Sequence, residues 1–218
     1  MTGYLCDFLI IIGAYLIGSI PSAVWIGKAA KGIDVREHGS KNAGATNTMR
    51  VLGVKTGIPV LLIDLFKGFA AVKLALLSPT FDAGSNAFVN FQLALGAAAV
   101  VGHVFPVFAG FRGGKGVATI VGILLALHWQ ATLLAIGVFL VILFIFKYVS
   151  LGSLMMGLSF PLSVFLIFKT DSISLKIFSV AVCILLFITH RKNISRLLRG
   201  QEGKATFLFP KSGGKGKE

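Results

Sequence analysis

The chain has 218 residues, of which 56% are hydrophobic and only 13% charged, with a mean hydropathy of +0.88. One aqueous core cannot cover that much apolar side chain, so a water-soluble globule is excluded and a bilayer is the natural solvent. The formal net charge of +13 does not indicate a nucleic-acid partner, because the basic residues lie between apolar runs and in the tail instead of along one phosphate-tracking face.

Crossing the hydrocarbon takes roughly 20 apolar residues as a helix, fewer where neighbours shield the segment. That ruler predicts an all-α, polytopic membrane protein of seven spans, some of them short. They run over Tyr4 to Ile26, Gly57 to Leu77, Phe88 to Phe108, Val117 to Leu127, Ala131 to Phe146, Leu151 to Phe168 and Leu175 to Thr189. The N-terminal run reads as a retained first span, since no Lys or Arg precedes it and it outlasts the apolar core of a signal peptide. Charge orients the set. The connection after the first span carries Lys28, Lys31, Arg36, Lys41, Arg50 and Lys55, whereas Ser78 to Ala87 carries Asp82 and no basic residue. Arg112, Lys115, Lys147 and the basic C-terminus fit the same alternation, with Lys169 and Lys176 as exceptions. The positive-inside rule therefore predicts an N-terminus outside and a cytoplasmic C-terminus. No 20- to 50-residue period repeats, so one domain is expected over 1–210, followed by a polar, basic, frayed tail at 211–218. Cys6 and Cys183 stand alone in apolar runs, which gives no disulfide framework or metal ligand set; no metal and no cofactor is expected.

Polar clusters interrupt this pattern, and the orientation puts three of them on the cytoplasmic side. The first runs from Arg36 to Asn47. Gly39 and Gly44 permit positive-φ turns, Ser40, Asn42, Thr46 and Asn47 add side-chain hydrogen-bonding groups, and Arg50 follows as a bidentate clamp for phosphate. A hydrated loop of turn formers has the same residue types. The second is Gly102-His103 through Thr119, where Gly113, Gly114, Lys115 and Gly116 open a helix. Phosphate at such a helix N-terminus meets free N–H groups and the positive dipole end, with Arg112 and Lys115 adding charge. It lacks the Walker A spacing, so nucleotide hydrolysis is not indicated. The third is His190 to Glu202. At 100° per residue, His190, Asn193 and Arg196 fall within an arc of about 120° and face one cavity, while Lys192 and Arg199 point elsewhere. Within the second span, Asp64 and Lys67 lie one turn apart and can pair, either at a functional site or as a structural ion pair.

The Gly39-Ser40-x-Asn42-Ala43-Gly44-Ala45-Thr46-Asn47 loop, Asp64-x-x-Lys67-Gly68, the Gly102 to Thr119 stretch and His190-Arg191-x-Asn193-Ile194-x-Arg196-Leu197 together resemble the acyl-phosphate:glycerol-3-phosphate acyltransferases. The resemblance covers essentially the whole chain up to Glu202. It implies a seven-helix enzyme of the bacterial inner membrane. A cytoplasm-facing pocket would move a fatty acyl group from acyl phosphate to the 1-hydroxyl of glycerol 3-phosphate, giving lysophosphatidic acid and phosphate. Carried over by position, it implies that Ser40, Arg50, Lys115, His190 and Asn193 line the site and that Gly113 and Gly114 belong to its phosphate loop. On this reading Ser40, His190 and Asn193 are the catalytic candidates. Asn42, Thr46, Asn47, Arg50, Lys67, Gly113, Gly114, Lys115 and Arg196 are the candidates for substrate binding. His190 and the departing phosphate are both open as the proton acceptor. Membrane lipid surrounds the chain, and the enzyme that makes acyl phosphate is a candidate partner. The rival reading is a transporter or flippase for a phosphorylated anion, but such proteins place a midplane site between internal repeats. An HxxxxD acyltransferase is excluded, because none of His38, His103, His128 or His190 has an Asp five positions on.

Overall fold

A computed structural model describes residues 2–209. The expected frayed tail at 211–218 lies outside them. Ten α-helices follow in order: α1 Thr2–Gly18, α2 Ser22–Lys31, α3 Ala45–Leu52, α4 Val54–Lys73, α5 Asn86–Val104, α6 Val117–Leu127, α7 Trp129–Phe146, α8 Val149–Leu162, α9 Ile173–Thr189 and α10 Arg191–Leu198. Every apolar segment predicted from sequence is helical. Four helical stretches are long and apolar enough to cross a membrane: Thr2–Lys31, Asn86–Ala109, Trp129–Phe146 and Val149–Ile167. A fifth is counted if α9 and α10, bent by 62°, form one broken span. The shortfall against seven has local causes. Helix α4 carries Lys55, Asp64, Lys67 and Lys73, and α6 has only 11 residues.

The first apolar run differs from the expected continuous span. It breaks at Ser19-Ile20-Pro21, because Pro21 has no N–H to donate and α2 restarts with Val24 and Trp25 donating to the Pro21 carbonyl. The loop that follows also contains a helix, α3, that the sequence reading treated as irregular.

In hydrocarbon, helices gain little from apolar contact as such, so close backbone approach holds the bundle together. Helix α4 lies against α6 and α1 against α5 through small residues. Gly68 meets the backbone of Thr119, Gly122 the carbonyl of Leu65, Gly18 the backbone of Ala99, and Gly102 the carbonyl of Tyr15. Leu95, Ile120, Ile123, Phe160 and Leu186 then fill the centre between α5, α6, α8 and α9. The outer surface exposes Phe66, Leu133, Phe144 and Ile177, as expected of side chains that face lipid.

A methyl group at Gly122 would strike the Leu65 backbone, which cannot rotate away. Gly122→Ala is therefore expected to cost about 1–3 kcal/mol, read as a lower Tm in detergent. Gly137→Ala, where an added methyl meets nothing within 4 Å, should leave Tm unchanged or slightly raised.

Candidate active site

Three sequence-distant stretches meet at one end of the bundle, around a cavity of about 640 Å³. Arg36 fastens the first to the second. Its guanidinium donates to the carbonyls of Ala109 at 2.7 Å and Arg112 at 3.2 Å, and its other face is held by Asp34, whose carboxyl is pulled below its usual range by that contact.

Ser40 is set by the turn before it. Gly39 adopts φ 58°, and a side chain there would also meet the Asn47 amide. The Asn47 Oδ1 accepts from both the backbone N–H and the hydroxyl of Ser40, at 2.8 and 3.0 Å, while its Nδ2 donates to the carbonyls of Val35 and His38. Asn47 is 1% exposed and all its hydrogen-bonding capacity is used inside the loop. Asn47 lines the cavity and through these bonds positions Ser40. Asn42, Thr46 and Arg50 line the cavity as expected, and the first turn of α3 does so with them.

The glycine loop also differs from expectation. The N–H groups of Gly113 and Gly114 donate to the carbonyls of Val104 and His103, at 3.1 and 3.2 Å, so they cap α5. Both residues border a separate small recess behind the cavity. Their smallness is still required, because a side chain on Gly114 would collide with the His103 imidazole. The groups that line the main cavity follow directly, at Lys115, Gly116, Val117 and Ala118. The first-turn N–H groups of α6, like those of α3, have no partner within their helix. Two positive helix ends thus border one space.

Lys67 lies in the buried network beside the cavity. It is 3% exposed, 2.9 Å from Asp64 and hydrogen-bonded to the Ile20 carbonyl at 2.9 Å, and it faces the rear recess. Asp64 also accepts from Ser22 at 2.7 Å, and His103 Nδ1 lies 3.1 Å from the Thr119 hydroxyl. Asp64 and His103 line both the main cavity and the rear recess, so this buried network forms the partition between them.

The third stretch supplies the opposite wall. His190 sits at the bend between α9 and α10, 2% exposed, with Nδ1 2.8 Å from the Leu186 carbonyl. That carbonyl can only accept, so Nδ1 carries the proton and Nε2 is left as the basic nitrogen. Lys115 donates a short hydrogen bond to Asn193 Oδ1. The Asn193 Nδ2 donates to Glu202 at 2.6 Å, and Glu202 also accepts from Arg196 Nε and the Ser150 hydroxyl, each at 2.7 Å. Burial pushes the Glu202 carboxyl up, but hydrogen bonds from Arg196, Asn193 and Ser150 outweigh it and hold it below its usual value. Glu202 is the cavity-lining group that sequence reasoning missed. A legible signal existed in Gly200, at φ 66°, which ends α10 with Gly200 N–H donating to Leu197 and Gln201 N–H to Arg196. This paired C-terminal cap folds the chain back and brings Glu202 beside Arg196.

The cavity has a mixed lining. Arg50, Lys115, Arg196, Ser40, His190 and Asn193 are its polar lining, and Leu65, Val121, Ile136, Phe139 and Met156 are among its apolar lining. Leu61 and Leu140, which also line it, are among the exposed apolar side chains. The fold and the cavity together define an integral-membrane protein with a cation-rich site beside apolar side chains.

Its relatives agree. Residues 8–200 match the family model for glycerol-3-phosphate acyltransferase. The glycerol-3-phosphate acyltransferase of Fusobacterium nucleatum is 43% identical over 200 residues, spanning 92% of this chain and 98% of its own. That of Chlorobaculum tepidum is 43% identical over 222 residues, spanning 91% and 96%. Among solved structures, PlsY, an integral membrane glycerol 3-phosphate acyltransferase, superimposes in its glycerol 3-phosphate form with a TM-score of 0.82 at 37% identity, covering 91% of this chain and 95% of that one. Its lysophosphatidic acid form gives 0.81 at 36% identity, covering 94% and 99%. The chain belongs to the glycerol-3-phosphate acyltransferase family.

Burial, reinforced by Arg196 and Arg50 and opposed by Glu202, lowers the Lys115 ammonium to about 8. Its charge is present below that pH and lost above it. A phosphomonoester, with a second ionisation near pH 6, stays dianionic throughout. Affinity for such a ligand is expected to fall by about tenfold from pH 7 to pH 9, measured by titration calorimetry. Lys115→Arg, which keeps its charge, should flatten that fall.

Proposed function

We propose that this chain transfers a fatty acyl group from acyl phosphate to the 1-hydroxyl of glycerol 3-phosphate. The observation that carries the proposal is the mixed lining of one cavity. Three cations beside a serine, a histidine and an asparagine form one part of it, and leucine, valine, isoleucine, phenylalanine and methionine side chains form another. A phosphorylated headgroup fits the first and an alkyl chain the second. A flippase would also need cations, but has no use for a nucleophile-orienting cluster beside them.

On this reading Arg50, Lys115 and Arg196 neutralise the phosphates of donor and acceptor, with the first-turn N–H groups of α3 and α6. The glycerol 1-oxygen attacks the acyl carbonyl carbon, and the bond from that carbon to the phosphate oxygen breaks. The phosphate leaves with the bonding pair, and the hydroxyl proton passes to it or to His190 Nε2. A mixed anhydride already has a good leaving group, so positioning and charge neutralisation carry most of the rate. Ser40 and Asn193 orient the hydroxyl. No cofactor enters the balanced reaction.

The remaining topology belongs to the same proposal. Helices α4 and α6 complete a set of seven spans within one domain over 1–210, shielded by their neighbours. The basic loops face the cytoplasm of a bacterial inner membrane, with the N-terminus outside. The enzyme that makes acyl phosphate is then the natural supplier of the donor, because that labile anhydride partitions into the same leaflet.

The test is purified protein in detergent with palmitoyl phosphate and glycerol 3-phosphate, assayed for lysophosphatidic acid and inorganic phosphate. Both should appear in equal amounts without nucleotide; correctly folded protein yielding neither would favour transport. His190→Ala separates the proton acceptors: residual turnover of about one part in a hundred or better fits orientation, and a deeper loss fits a base.

A further inference from the structure

We infer that Phe207 is a positioning residue for Arg50, and that the segment containing it is a working wall of the site. This rests on the reading of the cavity as a glycerol 3-phosphate site. The family match ends at residue 200, so the segment lies beyond it.

Arg50 lines the cavity from the last turn of α3, yet among the described residues its guanidinium has no carboxylate partner and no hydrogen bond. A long side chain in that state samples many rotamers, and a phosphate must then bear the entropy of ordering it. The structure offers one restraint. The Arg50 Cζ sits 5.8 Å from the centroid of the Phe207 ring, within cation–π range. The same strand passes the guanidinium again at Gly203, where an added Cβ would come within 4.0 Å of Arg50 Nη2.

The segment can impose that restraint because it is fixed on both sides of Phe207. Upstream, Glu202 is bonded to Ser150, Asn193 and Arg196. Ala205, 1% exposed, donates its N–H to the Lys147 carbonyl at 2.7 Å. Downstream, Phe209 packs edge-on against Phe144 at 5.6 Å, beneath the Lys147 ammonium. Residues 200–209 therefore form a strap from the end of α10 to the α7–α8 junction, with Gly203 lining the cavity. An aromatic ring suits the position: its face attracts the guanidinium without neutralising it, so the full charge stays available to a substrate phosphate. An acidic residue there would hold Arg50 just as well and cancel it.

The experiment compares Phe207→Ala, Phe207→Leu and Phe207→Tyr with the wild type, measuring kcat, the KM for each substrate, and Tm. Leu keeps apolar volume without a π face, and Tyr keeps the face. The expected result is a rise of about two- to fivefold in the KM for glycerol 3-phosphate in the Ala and Leu variants. The Tyr variant should match wild type, with kcat and Tm unmoved throughout. A wild-type KM in Phe207→Leu, or a loss of kcat that follows Tm in all three variants, overturns the positioning role. Absence of lysophosphatidic acid from the wild type itself would instead sink the acyl-transfer reading.

Discussion

Like charges do not gather without something to hold them, and the site depends on how that repulsion is managed. Three cations border one partly buried space, where their mutual repulsion is far less screened than in water. The carboxylate of Glu202 is placed among them, and it is linked by hydrogen bonds to Lys115 through the amide of Asn193. The amide is the useful element. Its oxygen satisfies the ammonium and its nitrogen satisfies the carboxylate, so Lys115 is spared direct neutralisation while Glu202 pairs directly with Arg196. The cationic field is held in place and not extinguished, which an anionic ligand requires.

The arrangement also explains why so little of the site sits on long helices. His190 occupies a bend, Lys115 precedes a helix, and Ser40 follows a left-handed turn. Each is a place where the backbone has spare hydrogen-bonding groups, and these are costly in hydrocarbon unless used. Here they are used twice: to cap neighbouring elements, as Gly113 and Gly114 do for α5, and to leave first-turn N–H groups along the cavity wall. Catalytic polarity and the membrane's demand for satisfied backbone thus have one solution.

Much of this was legible in the residues. Apolar run length found each of the long helices, and the 100° arc correctly separated His190, Asn193 and Arg196 from the exposed Lys192 and Arg199. What was not legible depended on contacts between distant segments. Nothing local to Asn47 says that its amide is spent on Val35 and His38, and nothing local to Gly114 says that its amide faces His103. Lys67 looked available because one-turn spacing to Asp64 predicts a pair but not which way the pair faces. Glu202 was overlooked for a different reason: periodic rules stop at Gly200, where the chain reverses and spacing ceases to encode direction.

The break at Pro21 has a consequence for how this protein can change. The Ile20 carbonyl lies in that break, where it accepts from the Ser22 N–H and from the Lys67 ammonium. The break thus gives the buried ammonium a second partner beside Asp64. Straightening the first helix would commit that carbonyl to the helix ladder and leave the lysine with the carboxylate alone. The irregularity in one helix is therefore tied to the burial of a charge in another, and a change that repairs the first has to provide for the second.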